Sequence, residues 1–137
     1  MIVITGGAGF IGSNLALNLD KDFELLIVDE LNKQTSKFNN ISDIKYLDCI
    51  DKAAFLNLLI KDEKKHSNNI QTIFHLGACS KTTEKDKDYV METNFEYSKK
   101  LLHFCANNNI PLIYASSASV YGAVSYTHLT LPTIGCV

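Results

Sequence analysis

The sequence has no apolar run long enough to cross a bilayer as a helix. It has no charge of one sign to spare either: 13 basic residues against 15 acidic ones, interspersed along the chain, leave a net charge of −2. Without a basic face there is no strong field to draw in nucleic acid or an anionic membrane, so neither is an expected partner. No basic segment with a small-residue cleavage site opens the chain; Met1 leads directly into "IVIT". The expected compartment is therefore the cytoplasm. The four cysteines, Cys49, Cys79, Cys105 and Cys136, form no C-x-x-C pair and have no histidine pattern beside them. The usual zinc spacings are missing, and reduced, mostly structural thiols are expected. Internal repeats and low-complexity segments are absent as well.

What is present is 137 residues, 46% apolar and 20% charged, enough for one compact core but not for two. Ile2 to Thr5 is a β-branched run that ends in glycines, and Ile11, Leu15 and Leu19 follow at helical spacing. Phe23 to Val28 is apolar apart from Glu24, as in a strand buried on both faces, and Ile44 to Leu47 reads as a short third strand. Ala53 to Ile60 carries a helical stripe. Ile70 to Ala78 reads as a fourth strand, Tyr89 to Cys105 as one long helix, and Pro111 to Ser117 as a fifth strand. The polar stretches Asn32 to Asp43 and Lys61 to Asn69 read as a loop and a solvated helix end. Parallel strands need crossovers, and crossovers are usually helices. The alternation therefore predicts an α/β fold, a doubly wound parallel sheet of about five strands, incomplete as a domain.

"TGGAGFIG" (Thr5 to Gly12) contains G-x-G-x-x-G as Gly7, Gly9 and Gly12, between a predicted strand and a predicted helix. That context assigns a tight turn to Gly7, backbone approach to a pyrophosphate to Gly9, and close helix packing to Gly12. The helix N-terminus beyond offers N–H groups and partial positive charge to phosphates. Asp29, at the end of the second strand, can accept hydrogen bonds from an adenosine ribose, which favours NAD; Lys37 in the next loop could answer a 2′-phosphate, which favours NADP. The small residues of "HLGACSKTTE" (His75 to Glu84) would let a cofactor lie against the backbone at the carboxyl end of the fourth strand.

Taken together, "TGGAGFIG", "LDCIDKAAF", "HLGACSKTTE", "TNFEYSKKLLHFC" and "YASSASVYG" resemble the extended short-chain dehydrogenase/reductase family from Met1 to about Gly122. "GACS-x-TTE" is similar to the branch that acts on an ADP-linked heptose. The resemblance implies a nucleotide-sugar epimerase with NADP as cofactor, NAD being the alternative, and a homo-oligomer. It carries cofactor contacts onto Phe10, Ile11, Asp29, Glu30, Lys37, Lys52, Leu76, Gly77, Ala78, Cys79, Ser80 and Asn94. Leu76 stands where the family often has glutamate, and Glu30 where it often has asparagine. On helical grounds alone, Asn94 needs a polar partner, equally well a neighbouring loop or a cofactor. His75 and His103 read as packed or surface histidines, and Cys79 has no base beside it.

The fifth strand delivers Ser117 to the side where a nicotinamide should lie, and the resemblance makes it the catalytic serine. In the family a tyrosine and a lysine in Y-x-x-x-K share the work, the lysine lowering the tyrosine pKa. No tyrosine of this chain has lysine four residues on. The end of the chain explains this: Val124 to Thr133 ("VSYTHLTLPT") translates a DNA that resembles a transposon-end sequencing adapter. Residues 1–123 are thus expected to be the N-terminal part of a dinucleotide-binding domain, and 124–137 a translated adapter tail without function.

Overall fold

The computed structural model describes residues 1–30, 35–61, 63–80 and 83–117. The tail 124–137, with Tyr126, His128 and Cys136, lies outside the described residues, as do Lys81 and Thr82 of the heptose-like segment. The chain forms β1 (Ile2–Thr5), α1 (Phe10–Leu19), β2 (Leu25–Asp29), a 3-10 segment (Thr35–Ile41) and β3 (Asp48–Asp51). Then come α2 (Lys52–Lys61), α3 (Glu63–Ser67), β4 (Thr72–His75), α4 (Lys87–Met91), a π-helical turn (Glu92–Glu96), α5 (Tyr97–Asn107) and β5 (Leu112–Tyr114). The five strands are all parallel, in the order β3-β2-β1-β4-β5. The doubly wound α/β fold expected from the alternation is the one present.

Strand alternation sorts the core into two layers. Val3, Leu26, Val28 and Ile73 point to one face, where Phe55 and Leu59 of α2 and Leu101, Phe104 and Cys105 of α5 cover them. Ile2, Ile4, Leu25 and Ile27 point to the other, under Ala8, Ala16 of α1, and Ile41 and Ile44. β1 and β2 are buried at every position. This is why both read as unbroken apolar runs, and why neither could be an edge strand.

Several expected boundaries move. The third strand is Asp48–Asp51, not Ile44 to Leu47. Ile44 is buried as a loop residue in the second layer, while the real strand lies at the sheet edge, is half-exposed, and carries an aspartate at each end. The segment expected to be a plain loop contains the 3-10 helix, anchored by fully buried Ile41. The other strands keep their places but are trimmed: Leu25–Asp29, Thr72–His75 and Leu112–Tyr114. The long helix begins at Lys87 and is interrupted by the π turn, at whose end the Tyr97 N–H reaches the Glu92 carbonyl. Among the described residues no helix is long and apolar enough to cross a membrane, and no group of three or more His, Cys, Asp or Glu could hold a metal ion.

Candidate dinucleotide site at the switch between strands 1 and 4

β1 is central. From it the chain moves outward through β2 to β3, then crosses back to lay β4 on the opposite edge of β1. The connections leaving β1 and β4 therefore diverge and open a crevice beyond the carboxyl ends of the strands, where such sheets take ligands. A cleft of about 310 Å³ lies there. Its floor is Thr5, Gly6, Gly9, Ile11 and Gly12; one wall is Val28, Asp29, Glu30 and Lys37, and the other Leu76, Gly77, Ala78 and Ser80. Lys52, Tyr89, Thr93 and Tyr97 close the rim.

The glycines divide their work differently from the expectation. The turn out of β1 is made by Gly6, at φ +68°, a region that L side chains avoid. A Cβ on Gly6 would also stand 2.7 Å from the Gly77 backbone. Gly7, expected at the turn, instead packs beneath it: a Cβ there would meet the Ile27 side chain and the Ile4 carbonyl, each at 2.9 Å. Gly12 keeps its expected part, since a Cβ would collide with the Gly6 carbonyl oxygen and come within 2.7 Å of Gly7 Cα. At Gly9 the nearest obstacle is a single carbonyl at 3.1 Å, so its free side faces the cleft. Gly9 is also the N-cap of α1; no side chain caps that helix and no acidic residue stands in its first turn. An uncapped N-terminus beside a glycine fits an anionic, phosphate-bearing group.

Asp29 is 7% exposed, and its carboxylate is already engaged. Oδ2 accepts the Ala8 N–H at 3.0 Å and Oδ1 the Glu30 N–H at 2.8 Å, with Lys37 Nζ 3.6 Å from Oδ1. Its first job is thus to tie the glycine turn to β2. Glu30 faces Lys52 at 3.9 Å and accepts the Tyr89 hydroxyl at 3.1 Å. Lys52 Nζ also donates to Thr93 Oγ1 at 3.3 Å and lies over the Tyr89 ring. Burial, with Glu30 adding, pushes the Tyr89 phenol up; burial, with Asp51 adding, pushes Tyr97 up further. Neither phenol is poised as a base near neutral pH.

Of the residues singled out from the sequence, Gly9, Ile11, Gly12, Asp29, Glu30, Lys37, Lys52, Leu76, Gly77, Ala78 and Ser80 meet at one cleft. Five do not line it. Gly7 is beneath it, and the Phe10 side chain, 82% exposed, points away although its residue opens α1. Asn94 and Cys79 bind each other: Asn94 accepts the Cys79 N–H at 2.7 Å and donates to the Cys79 carbonyl at 3.0 Å. The loop thus supplies a polar partner that Asn94 needs. Ser117 is exposed beyond the end of β5. Cys49, Cys79 and Cys105 are free thiols; His103 is exposed, whereas His75 is buried. Sequence reading missed Thr5, Gly6, Tyr89, Thr93 and Tyr97; the last three recur every four residues on one helical face, a signal that was available.

Several solved structures share this fold. The chain is similar to ADP-L-glycero-D-manno-heptose-6-epimerase of Helicobacter pylori, at 30% identity and TM-score 0.69 over 94% of this chain and 42% of that one. It is similar to UDP-N-acetylglucosamine 4-epimerase of Methanobrevibacter ruminantium, at 29% identity and TM-score 0.72 over 93% and 41%. A third is UDP-glucuronic acid 4-epimerase of Bacillus cereus, solved with NAD, at 28% identity and TM-score 0.69 over 91% and 42%. The chain spans less than half the length of each of these proteins. The sequence model of the NAD dependent epimerase/dehydratase family matches residues 2–133, past Ala123 and over nearly the whole chain. A parallel sheet with a glycine turn at its switch point, and a match of that extent, make this chain a member of the NAD dependent epimerase/dehydratase family.

Proposed function

We propose that the chain is the dinucleotide-binding part of a nucleotide-sugar epimerase, and that the open N-terminus of α1 beside Gly9 receives the pyrophosphate. That uncapped helix end at the switch point carries the reading. Gly9, Phe10, Ile11 and Gly12 would hold the phosphates, Asp29 and Glu30 the adenosine ribose, and the loop Leu76–Ser80 the nicotinamide half, with Asn94 holding that loop. Lys37 and Lys52, both lining the cleft, favour NADP over NAD, because each can answer a 2′-phosphate once drawn from its carboxylate.

For the whole protein we propose interconversion of ADP-D-glycero-D-manno-heptose and ADP-L-glycero-D-manno-heptose, in lipopolysaccharide core synthesis. The segment "GACS-x-TTE" supports this choice within the family; the sequence identities to the heptose and UDP-sugar epimerases are too close to decide it. The reaction takes a hydride and a proton from the C6 carbinol and returns both, the hydride to the opposite face. A bound nicotinamide dinucleotide supplies the reversible hydride acceptor. Ser117 would hydrogen-bond the substrate oxygen while that carbon changes hybridisation. The Y-x-x-x-K pair is not in these 137 residues, so this chain alone is expected not to turn over and to bind its cofactor weakly. The alternative reading is a noncatalytic dinucleotide-binding module.

The test is to give the full-length protein ADP-D-glycero-D-manno-heptose and follow the C6 epimer by NMR. Conversion supports the assignment. Turnover of another nucleotide sugar instead transfers the protein to a neighbouring branch, and no turnover of any favours the binding module.

A further inference from the structure

The loop Gly77–Ser80 forms one wall of the cleft but has no regular secondary structure of its own. A closed circuit of hydrogen bonds holds it. The Gly77 N–H donates to Thr5 Oγ1 at 3.2 Å, and Thr5 Oγ1 lies 2.6 Å from His75 Nδ1. His75 Nε2 lies 2.7 Å from Ser98 Oγ, which donates to the Asn94 carbonyl at 2.9 Å. The Asn94 side chain closes the ring on both backbone groups of Cys79.

Proton counting gives the circuit a direction. Ser98 has one hydroxyl proton, and it goes to the Asn94 carbonyl, so the proton between Ser98 and His75 belongs to Nε2. A neutral ring then presents Nδ1 as an acceptor, filled by the Thr5 hydroxyl, whose oxygen takes the Gly77 N–H. Every group is satisfied in this one arrangement. The Nδ1–H tautomer would leave the Thr5 hydroxyl proton without an acceptor in the circuit and would face the Nε2 lone pair with the Ser98 oxygen, whose proton is already given to Asn94.

We propose that His75, neutral and protonated on Nε2, is a positioning residue for dinucleotide binding: through Thr5 and Ser98 it fixes the loop Gly77–Ser80, and protonating it releases the loop. The proposal rests on the dinucleotide reading above for the identity of the ligand. A second proton on the ring would turn the Nδ1 acceptor into a donor, so the Thr5 hydroxyl proton must turn away. Thr5 Oγ1 then accepts from both Nδ1 and Gly77, but its own proton has no acceptor within the circuit, which destabilises the arrangement that holds the loop. The elements around His75 bring two titratable groups to it, the Tyr97 ring of α5 at 5.8 Å and Tyr114, its register partner on β5. Both are phenols, and burial raises the pKa of the Tyr97 one. Burial is what lowers the His75 pKa.

The experiment uses the intact chain. Ring nitrogen NMR of His75 reports its tautomer and titration, and amide exchange at Gly77 and Cys79 reports the loop. NADP titration of wild type, Ser98→Ala and Ser98→Thr reports the ligand. The expected result is an Nε2–H ring, with loop exchange that accelerates as His75 protonates. Ser98→Ala should weaken NADP binding about tenfold and speed loop exchange, and Ser98→Thr should restore both, in line with the loss of one buried partner. An Nδ1–H ring in wild type overturns the circuit, and that measurement survives even if a variant fails to fold. Wild-type affinity in folded Ser98→Ala overturns the positioning role. If wild type binds neither NADP nor NAD, the dinucleotide reading fails, and the tautomer and exchange data separate that failure from a fault in the circuit.

Discussion

The carboxylate of Asp29 accepts the backbone N–H of Ala8 at 3.0 Å, pinning the turn after the first strand to the end of the second. A residue expected to bind ribose is therefore also a structural tie. Asp29→Ala leaves the Ala8 N–H and the Glu30 N–H without that partner, at a cost of about 1–3 kcal/mol for each buried orphan. Asp29→Asn keeps one acceptor and should lose about half as much. Urea midpoints of the three proteins check the order; equal midpoints for wild type and Asp29→Ala would contradict it.

Gly9→Ala and Gly12→Ala should separate binding from folding. A methyl at Gly12 meets backbone of Gly6 and Gly7, neither of which can give way, so stability falls by about 1–3 kcal/mol as for other overpacked sites. A methyl at Gly9 meets one carbonyl at 3.1 Å and otherwise enters the cleft. Its thermal midpoint should stay close to wild type while dinucleotide affinity drops. Thermal melts paired with calorimetric titration distinguish the two patterns.

Burial lowers the pKa of His75 below its ordinary 6.5. The unfolded chain therefore binds this proton more readily than the folded one, and stability rises with pH in the interval between the two values. The contribution is complete above 6.5 and is lost as pH falls from there toward the folded pKa. Urea denaturation from about pH 8 to about pH 5 should show this loss, and His75→Gln should flatten it. An unchanged slope in the variant would assign the loss to other groups.

Lys37 stands 3.6 Å from Asp29 on the wall of the cleft. Lys37→Ala should weaken NADP binding by roughly tenfold or more, the size of a charge-assisted hydrogen bond, and leave NAD binding nearly unchanged. Parallel titrations check this, and equal losses for both dinucleotides would remove Lys37 from the 2′-phosphate.

Burial raises the Cys49 thiol to about 11, with the charges of Asp29 and Asp48 adding, and burial raises Cys105 to about 11 as well. Both should be slow toward iodoacetamide, and unfolding in urea should speed their alkylation by on the order of a hundredfold, as the thiolate fraction recovers. Peptide mass spectrometry over a time course measures it.

The fold was legible where burial is two-sided. β1 and β2 have no solvent face, so their sequences are apolar up to a terminal Thr5 and Asp29, and their places follow from that run. β3 was misplaced because an edge strand with Asp48 and Asp51 at its ends looks like a loop, while the neighbouring loop buries Ile41 and Ile44 and looks like a strand. The glycine turn was recognised, but its spacing could not say that Gly6 rather than Gly7 takes the positive φ. That depends on the approach of Gly77 from a strand distant in sequence. The His75 circuit was illegible for the same reason: its members come from β1, β4, the loop after β4, the π-helical turn and α5, and the parallel pairing of Thr5 with His75 and the packing of Ser98 on His75 bring them together.

Placing the first strand in the middle of the sheet sets a timetable for synthesis. As the chain leaves the ribosome, β1 can pair with β2 once Asp29 has been made, but its other edge waits for Thr72–His75. Until then Ile2, Val3 and Ile4 sit on a strand with one row of backbone groups unpaired. The nascent chain passes through a stage in which its most apolar strand is open to any neighbouring extended segment. Slowing translation between codons 30 and 72 should therefore favour aggregation, whereas slowing it after β4 has emerged should not.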